Sequence, residues 1–371
     1  MAYRDELARV ITEVIEPAAR QVDREGKFPR NAVEALGKAG LLGLTVPSDA
    51  GGGGGGLAEA ADAVEQVARA CGSTAMVLLM HYSAVAVVTA HGPRDALVEI
   101  AAGRHLSTLA FSESGSRSHF WAPVSSARVD GDEVVLDAKK SWVTSAGQAD
   151  SYVWSSRPVD GDGPMTLWLV PSGAAGLSSP FDFEGLGLRG NASSPVTADG
   201  VRVPAAARLG PDGGGLDLAF ATALPSFLVL GAACSVGFME AVIATTTRHL
   251  TGTTLQHLGQ TLAEQPAARA GLARMRIATD TARVLLDDTI AALGTGRDDA
   301  QLRLLEVKAV AAEAVIDVTD TAMTVCGGSA FRADLGIERR FRDARAARVM
   351  APTTEALHDF IGRALTGLPL M

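Results

Sequence analysis

Residues 109–118 read Leu-Ala-Phe-Ser-Glu-Ser-Gly-Ser-Arg-Ser, and residues 140–145 read Lys-Ser-Trp-Val-Thr-Ser. The first is a short apolar strand running into a Ser/Gly turn, where backbone N–H groups and hydroxyls can converge on one polar ligand. The second closes a β-branched run that begins at Asp132, and strand alternation puts Trp142 and Thr144 on one face. An indole and a hydroxyl together suit a planar heteroaromatic ligand. Taken alone, a strand tryptophan reads first as core.

Working outward, residues 105–212 keep this texture of short alternating runs broken by Gly, Pro, Asp and Ser, which predicts a β domain of barrel or sandwich type. Residues 1–104 instead repeat apolar residues at helical spacing, which predicts an all-α domain. Residues 213–371 return to long helical periodicity with breaks at Gly294–Asp299 and Gly327–Phe331, the pattern of a four-helix bundle. The fold class is therefore α+β and multidomain. Gly51–Gly56 is followed by no Gly-Lys-Ser/Thr and reads as a turn between helices, not a phosphate loop.

The net charge of -9 with interspersed signs offers no basic stripe for nucleic acid. The 3 cysteines are far apart and lack CxxC spacing, so neither a disulfide framework nor a metal site is expected, and a cytoplasmic setting fits. The N-terminal stretch is charged and amphipathic, unlike a secretory leader. The apolar stretches near 75–90 and 227–241 are short for a bilayer span and read as core helices, so no membrane partner is expected.

Two further stretches carry chemistry. Gly185-Leu-Gly-Leu-Arg-Gly190 joins backbone freedom to the Arg189 guanidinium, suited to close approach by another segment or by an anion. Cys326-Gly-Gly-Ser-Ala-Phe331 ends a long helix, where the paired glycines serve as a C-cap or let a phosphate near the backbone.

Ser112-Glu113 with Gly115 and Ser118, Trp142-Val143-Thr144, Gly187–Gly190, Gly327-Gly328 and Arg342-Asp343-Ala344 stand in one order along nearly the whole chain. In that order they resemble the acyl-CoA dehydrogenase superfamily of flavoproteins. The resemblance implies an N-terminal helical domain, a middle β domain and a C-terminal four-helix bundle, with FAD between the latter two. It implies that Phe111, Ser112, Trp142 and Thr144 face the isoalloxazine, that Val143 also belongs to the cofactor site, and that Ser118 faces the pyrophosphate or acyl carrier. Gly327 and Gly328 would reach the FAD of a neighbouring subunit, giving a homotetramer or homodimer, and Thr353 and Thr354 match a stretch near the cofactor phosphates. The implied substrate is an acyl thioester of CoA or a carrier protein, with an electron-transfer partner or flavin reductase.

The sequence departs from that pattern where proton chemistry is expected. Counting from Arg342-Asp343-Ala344, the family's catalytic carboxylate falls on Ala351, which cannot take a proton. The alternative base position, at the start of the first C-terminal helix, falls on Phe227 and Leu228. Cofactor contacts differ as well: Gly252–Leu255 replaces an Arg-x-Thr-Phe box, Arg117 a glycine and Thr324 a glutamine. Two residues offer substitute bases. Glu355 lies one turn beyond Ala351 if that segment is helical, and His81 in the run Val77–Tyr82 faces a cavity or is a satisfied core histidine. His119, beside Ser118, reads as a solvated loop residue.

Three functions compete on this evidence: a dehydrogenase-like flavin oxidoreductase with a relocated base, an FADH2- and oxygen-dependent monooxygenase that needs no base, and a family member without redox activity. The Ser112, Trp142 and Thr144 face places the dehydrogenase first. Phe227, Leu228, Ala351 and Arg189 are the expected substrate-side residues.

Overall fold

The apolar periodicity of the first hundred residues forms helices α1 (Ala2–Val10), α2 (Glu16–Glu25), α3 (Arg30–Lys38), α4 (Leu57–Ala70), α5 (Gly72–His91) and α6 (Arg94–Ala101) in the computed structural model, which describes residues 2–117, 119–180 and 183–370. A π-helical turn at Ile11–Ile15 joins α1 to α2, where Pro17 has no N–H for the regular ladder. The polyglycine run is a turn: Gly53, Gly54 and Gly55 donate their amides to the carbonyls of Gly43, Val46 and Leu44. Those N–H groups are thereby taken from any phosphate.

Strands follow: β1 (Ser107–Ala110), β2 (Ser126–Asp130), β3 (Glu133–Val143), β4 (Ser151–Ser156), β5 (Thr166–Pro171), β6 (Leu177–Ser178), β7 (Ser194–Pro204) and β8 (Arg208–Leu209). They make two four-stranded sheets, ordered β1-β4-β5-β8 and β2-β3-β7-β6. β1 and β4 are parallel, with Ser107 opposite Ser151, and the other pairs are antiparallel. β4 is buried at every position, as a central strand covered on both faces must be, while β7 alternates buried and exposed.

The chain then returns to helices α7 (Gly215–Ala221), α8 (Ala223–Gly252), α9 (Pro266–Thr295), α10 (Ala300–Cys326), α11 (Ile337–Ala344), α12 (Ala346–Val349) and α13 (Thr354–Thr366). α10 runs 27 residues without Gly or Pro and stops at Gly327, whose φ of 55° a side chain would resist. Two segments, Gly72–His91 and Gly215–Gly252, are long and apolar enough to cross a membrane, yet 78% and 72% of their apolar windows are buried, the behaviour of core helices.

The chain divides into two compact units. The first, Met1–Ala63 with Ser73–Gly185 and Arg189–Phe227, centres on a core in which Val85 and Val88 of α5 meet Leu109, Val153, Leu167 and Leu209 of the first sheet. The second, Val64–Gly72 with Leu186–Leu188 and Leu228–Met371, is built on α10, which packs along α9 and against α11 and α13. Arg283 of α9 ties Glu65 and Glu240 together at 2.8 and 3.1 Å.

Candidate active site

In the first unit, one end of the β domain gathers the residues expected to face a planar ligand. Ser141 donates its amide to Ser112 O at 2.9 Å and Ser114 donates to Lys139 O at 3.3 Å, so the 112–114 loop lies beside the end of β3. Thr108 Oγ1 donates to Thr144 O at 2.9 Å, holding β1 against the same end. Phe111, Ser112, Trp142, Val143 and Thr144 are therefore neighbours. Ser118 lies outside the described residues.

The simple alternation fails at Trp142. The register of β3 with β7 shifts between Lys140 and Val143, and Trp142 adopts a left-handed φ of 56°. A bulge re-aims a side chain. The indole is 71% exposed while Thr144 is 4% exposed, so the two do not share an exposed face as expected. Beside Thr144, the hydroxyls of Ser145 and Ser194 are buried without a hydrogen-bond partner, and Ser194 is the residue opposite Val143. These two hydroxyls lie beneath the surface, whereas the exposed indole offers an aromatic face to a planar ligand such as an isoalloxazine.

What sequence reasoning missed is the pair beneath this face. Lys140 Nζ donates to Glu113 Oε1 at 2.6 Å, Ser155 O at 2.6 Å and Ser155 Oγ at 2.8 Å, and it lies 5.1 Å from the Trp154 ring. Glu113 also accepts from Val124 N, Ser125 N and Ser125 Oγ. Burial pulls the Lys140 pKa down to about 8 against the opposing pull of Glu113. Burial raises the Glu113 pKa, but Lys140 and the Ser125 and Val124 donors outweigh it and leave the carboxyl below its usual range. The pair pins the 112–125 loop to the sheet; both residues stood inside quoted motifs, but their pairing spans 27 residues.

Both ring nitrogens of His81 are engaged. Its Nδ1 accepts the Ser107 amide at 3.1 Å and its Nε2 bonds Leu42 O at 2.9 Å, which fixes the neutral tautomer with the proton on Nε2. The residue is 0% exposed, and burial pulls its pKa down to about 4. It joins α5 to β1 and to the 41–44 turn.

In the second unit, Ala351 and Pro352 lie between α12 and α13, and Thr353 is the N-cap of α13, accepting from Ala356 N at 3.3 Å. Pro352 has no N–H, and Thr353 is extended (ψ 162°), so α13 starts only at Thr354. Ala351 and Glu355 are thus not related by one helical turn. Glu355 is exposed on the first turn of α13, and Thr354 is buried. Ala351 is half-buried. Lys308 Nζ donates to the carbonyls of Ala347, Met350 and Pro352 at 3.2, 3.0 and 2.7 Å.

The close approach expected at Gly187 has a partner: a Cβ there would stand 2.4 Å from the Arg342 carbonyl carbon, and Leu188 donates its amide to Asp343 Oδ1 at 2.6 Å. The motif's backbone freedom is therefore structural. Arg189 is half-buried in the first unit. Phe227 is half-buried and Leu228 fully buried on α8. Gly327 and Gly328 are exposed, and a Cβ at either would meet nothing within 4 Å, leaving the backbone open to a ligand or another chain.

An all-α segment, two four-stranded β sheets and a helical bundle, in that order, are the architecture of the acyl-CoA dehydrogenase fold. Three family models match in order: the N-terminal domain of acyl-CoA dehydrogenase over residues 1–96, its middle domain over 108–201 and its C-terminal domain over 213–366. The chain belongs to the acyl-CoA dehydrogenase superfamily. It is similar to the mitochondrial short-chain specific acyl-CoA dehydrogenase of Bos taurus, at 28% identity over 91% of this chain and 83% of that protein. It is similar also to the cyclohex-1-ene-1-carbonyl-CoA dehydrogenase of Geobacter metallireducens, at 28% identity over 97% and 96% of the two chains. The butyryl-CoA dehydrogenase structure from Megasphaera elsdenii has the same fold, with TM-score 0.92 and 22% identity over 98% of each chain.

Proposed function

We propose that this enzyme binds FAD and oxidises an acyl thioester, with a proton acceptor other than the residue at 351. The observation that carries the reading is the end of β3: exposed Trp142 at left-handed φ, with the Ser112 loop hydrogen-bonded alongside. When bound, FAD supplies a hydride acceptor. Trp142 and Phe111 in the first unit would offer aromatic surface to its ring system, and Ser112 and Thr144 hydrogen bonds to its edge, while Gly327 and Gly328 in the second unit would reach the FAD of a neighbouring subunit. The Glu113–Lys140 pair holds the Ser112 loop in register with Trp142.

Removing the α-proton of a thioester needs a base, and Ala351 offers none. With His81 saturated, Glu355 is the carboxylate of our reading that stays open, exposed at the start of α13. In the first unit, half-buried Phe227 would offer the substrate an apolar surface and Arg189 a contact for an anionic group; in the second, half-buried Ala351 would offer an apolar one. The relatives reported above are named for dehydrogenating CoA thioesters, which favours dehydrogenation of a CoA or carrier-bound acyl group over oxygenation. A homo-oligomer, a cytoplasmic location and a separate electron acceptor complete the reading.

Ala351→Glu tests it. The variant gains reduction of its FAD by saturated acyl-CoAs, and Glu355→Gln in the native background loses at least tenfold in thioester-driven flavin reduction. An Ala351→Glu protein that binds FAD yet stays inert to every thioester, beside a Glu355→Gln protein equal to the native one, refutes it.

A further inference from the structure

Lys308 is a cation amid the apolar face of α10: Leu304, Leu305, Ala311 and Ala312 around it are buried, and it is itself 3% exposed. No carboxylate pairs with it among the described residues; Glu355 acts on it only at longer range. Its three partners are all backbone carbonyls, and all come from the segment that brackets position 351: Ala347 in α12, Met350 immediately before Ala351 and Pro352 immediately after it. An ammonium has three protons, and each has one acceptor here. A neutral amine has two, and its lone pair would face an oxygen.

These carbonyls have no helical partner to replace the lysine. α12 is a single turn ending at Val349, and α13 begins only after the Thr353 cap. Burying a cation without a counter-ion is costly, and breaking its hydrogen bonds leaves buried acceptors unpaired. Lys308 thus fixes the turn from one side while Thr353 Oγ1, accepting from Ala356 N, fixes it from the other.

We infer that Lys308 is the positioning residue for position 351: its ammonium clamps the carbonyls on both sides of that residue and sets the direction in which its side chain points. The inference rests on the reading that position 351 faces the substrate, and it implies that the device for presenting a side chain there is intact although the side chain itself is a methyl group. The clamp holds the backbone and touches no reacting atom.

The test uses the full chain and two readouts. Lys308→Met removes the donors while keeping the length of the arm. Hydrogen exchange of the 348–354 amides should accelerate at least tenfold, with exchange in β4 and β5 unchanged. Should the Met variant fail to fold, Lys308→Gln, a shorter arm with two donors, replaces it, and acceleration of at least threefold is expected. Exchange in that turn equal to the native rate in a folded variant overturns the clamp. The second readout is Ala351→Glu with and without Lys308→Met, both loaded with FAD and titrated with butyryl-CoA. The double variant should lose at least tenfold in the rate of flavin reduction relative to Ala351→Glu, whereas Lys308→Arg, which keeps a charged donor, should recover part of that loss. Equal rates in the single and double variants overturn the positioning role. If Ala351→Glu is itself inert, the substrate-facing reading of 351 falls, and the exchange result still decides whether Lys308 clamps the turn.

Discussion

Lys140→Met is the sharpest structural perturbation of the site. The change replaces a 0%-exposed ammonium by an apolar chain of similar length, leaving Glu113 buried with 1% of its side chain exposed. Removing one partner of a buried ion pair costs about 3–5 kcal/mol. Glu113 retains three donors, Val124 N, Ser125 N and Ser125 Oγ at 2.7, 2.9 and 2.6 Å, which places the loss at the lower end, about 3 kcal/mol. Glu113→Gln in the same background removes the uncompensated charge. It should restore roughly 1–2 kcal/mol, so the two substitutions are non-additive. Urea unfolding of native, single and double variants measures this directly. A folded Lys140→Met protein within about 1 kcal/mol of native, or strictly additive substitutions, would refute the claim that this pair anchors the Ser112 loop.

Other outcomes follow from the same geometry. His81 titrates at about 4 when folded against 6.5 when free, so the unfolded chain binds more protons between those values. Stability therefore falls as pH drops from about 6.5 towards 4, by up to roughly 3 kcal/mol from this group, and His81→Gln should flatten that slope in acid unfolding without abolishing turnover. Gly187→Ala forces a Cβ to within 2.4 Å of the Arg342 backbone and should cost about 1–3 kcal/mol in thermal unfolding; an unchanged midpoint would remove the need for glycine there. Trp142→Ala, at a 71%-exposed side chain, should change stability by less than about 0.5 kcal/mol while weakening FAD binding at least tenfold by fluorescence titration. Equal affinity would take Trp142 out of the cofactor site.

The domain order was readable because each segment carries its own period: 3.6 in α10, where buried residues recur along one face, and two in β7, where burial alternates. Trp142 was readable as a ligand residue but not in its direction, because the bulge that turns it out depends on pairing with β7, over fifty residues away. The same limit hid the partner of Gly187: its glycine announced a close approach, but Asp343 lies 155 residues from Leu188 in the chain. His81 sat in an apolar run and was open to two readings; only the positions of Leu42 and Ser107 decide that both nitrogens are occupied. Lys308 gave a local signal that went unread, a lysine whose neighbours at helical spacing are all apolar.

The central claim is that the fold still runs flavin chemistry on a thioester although Ala351 has no acid–base group. Anaerobic titration of the FAD-loaded native protein with a panel of acyl thioesters, followed by visible absorbance, addresses it most directly. We predict one FAD per chain and bleaching of the flavin by at least one thioester, with the matching α,β-unsaturated product. A protein that takes up no FAD, or whose flavin keeps its oxidised spectrum with every thioester, would contradict it.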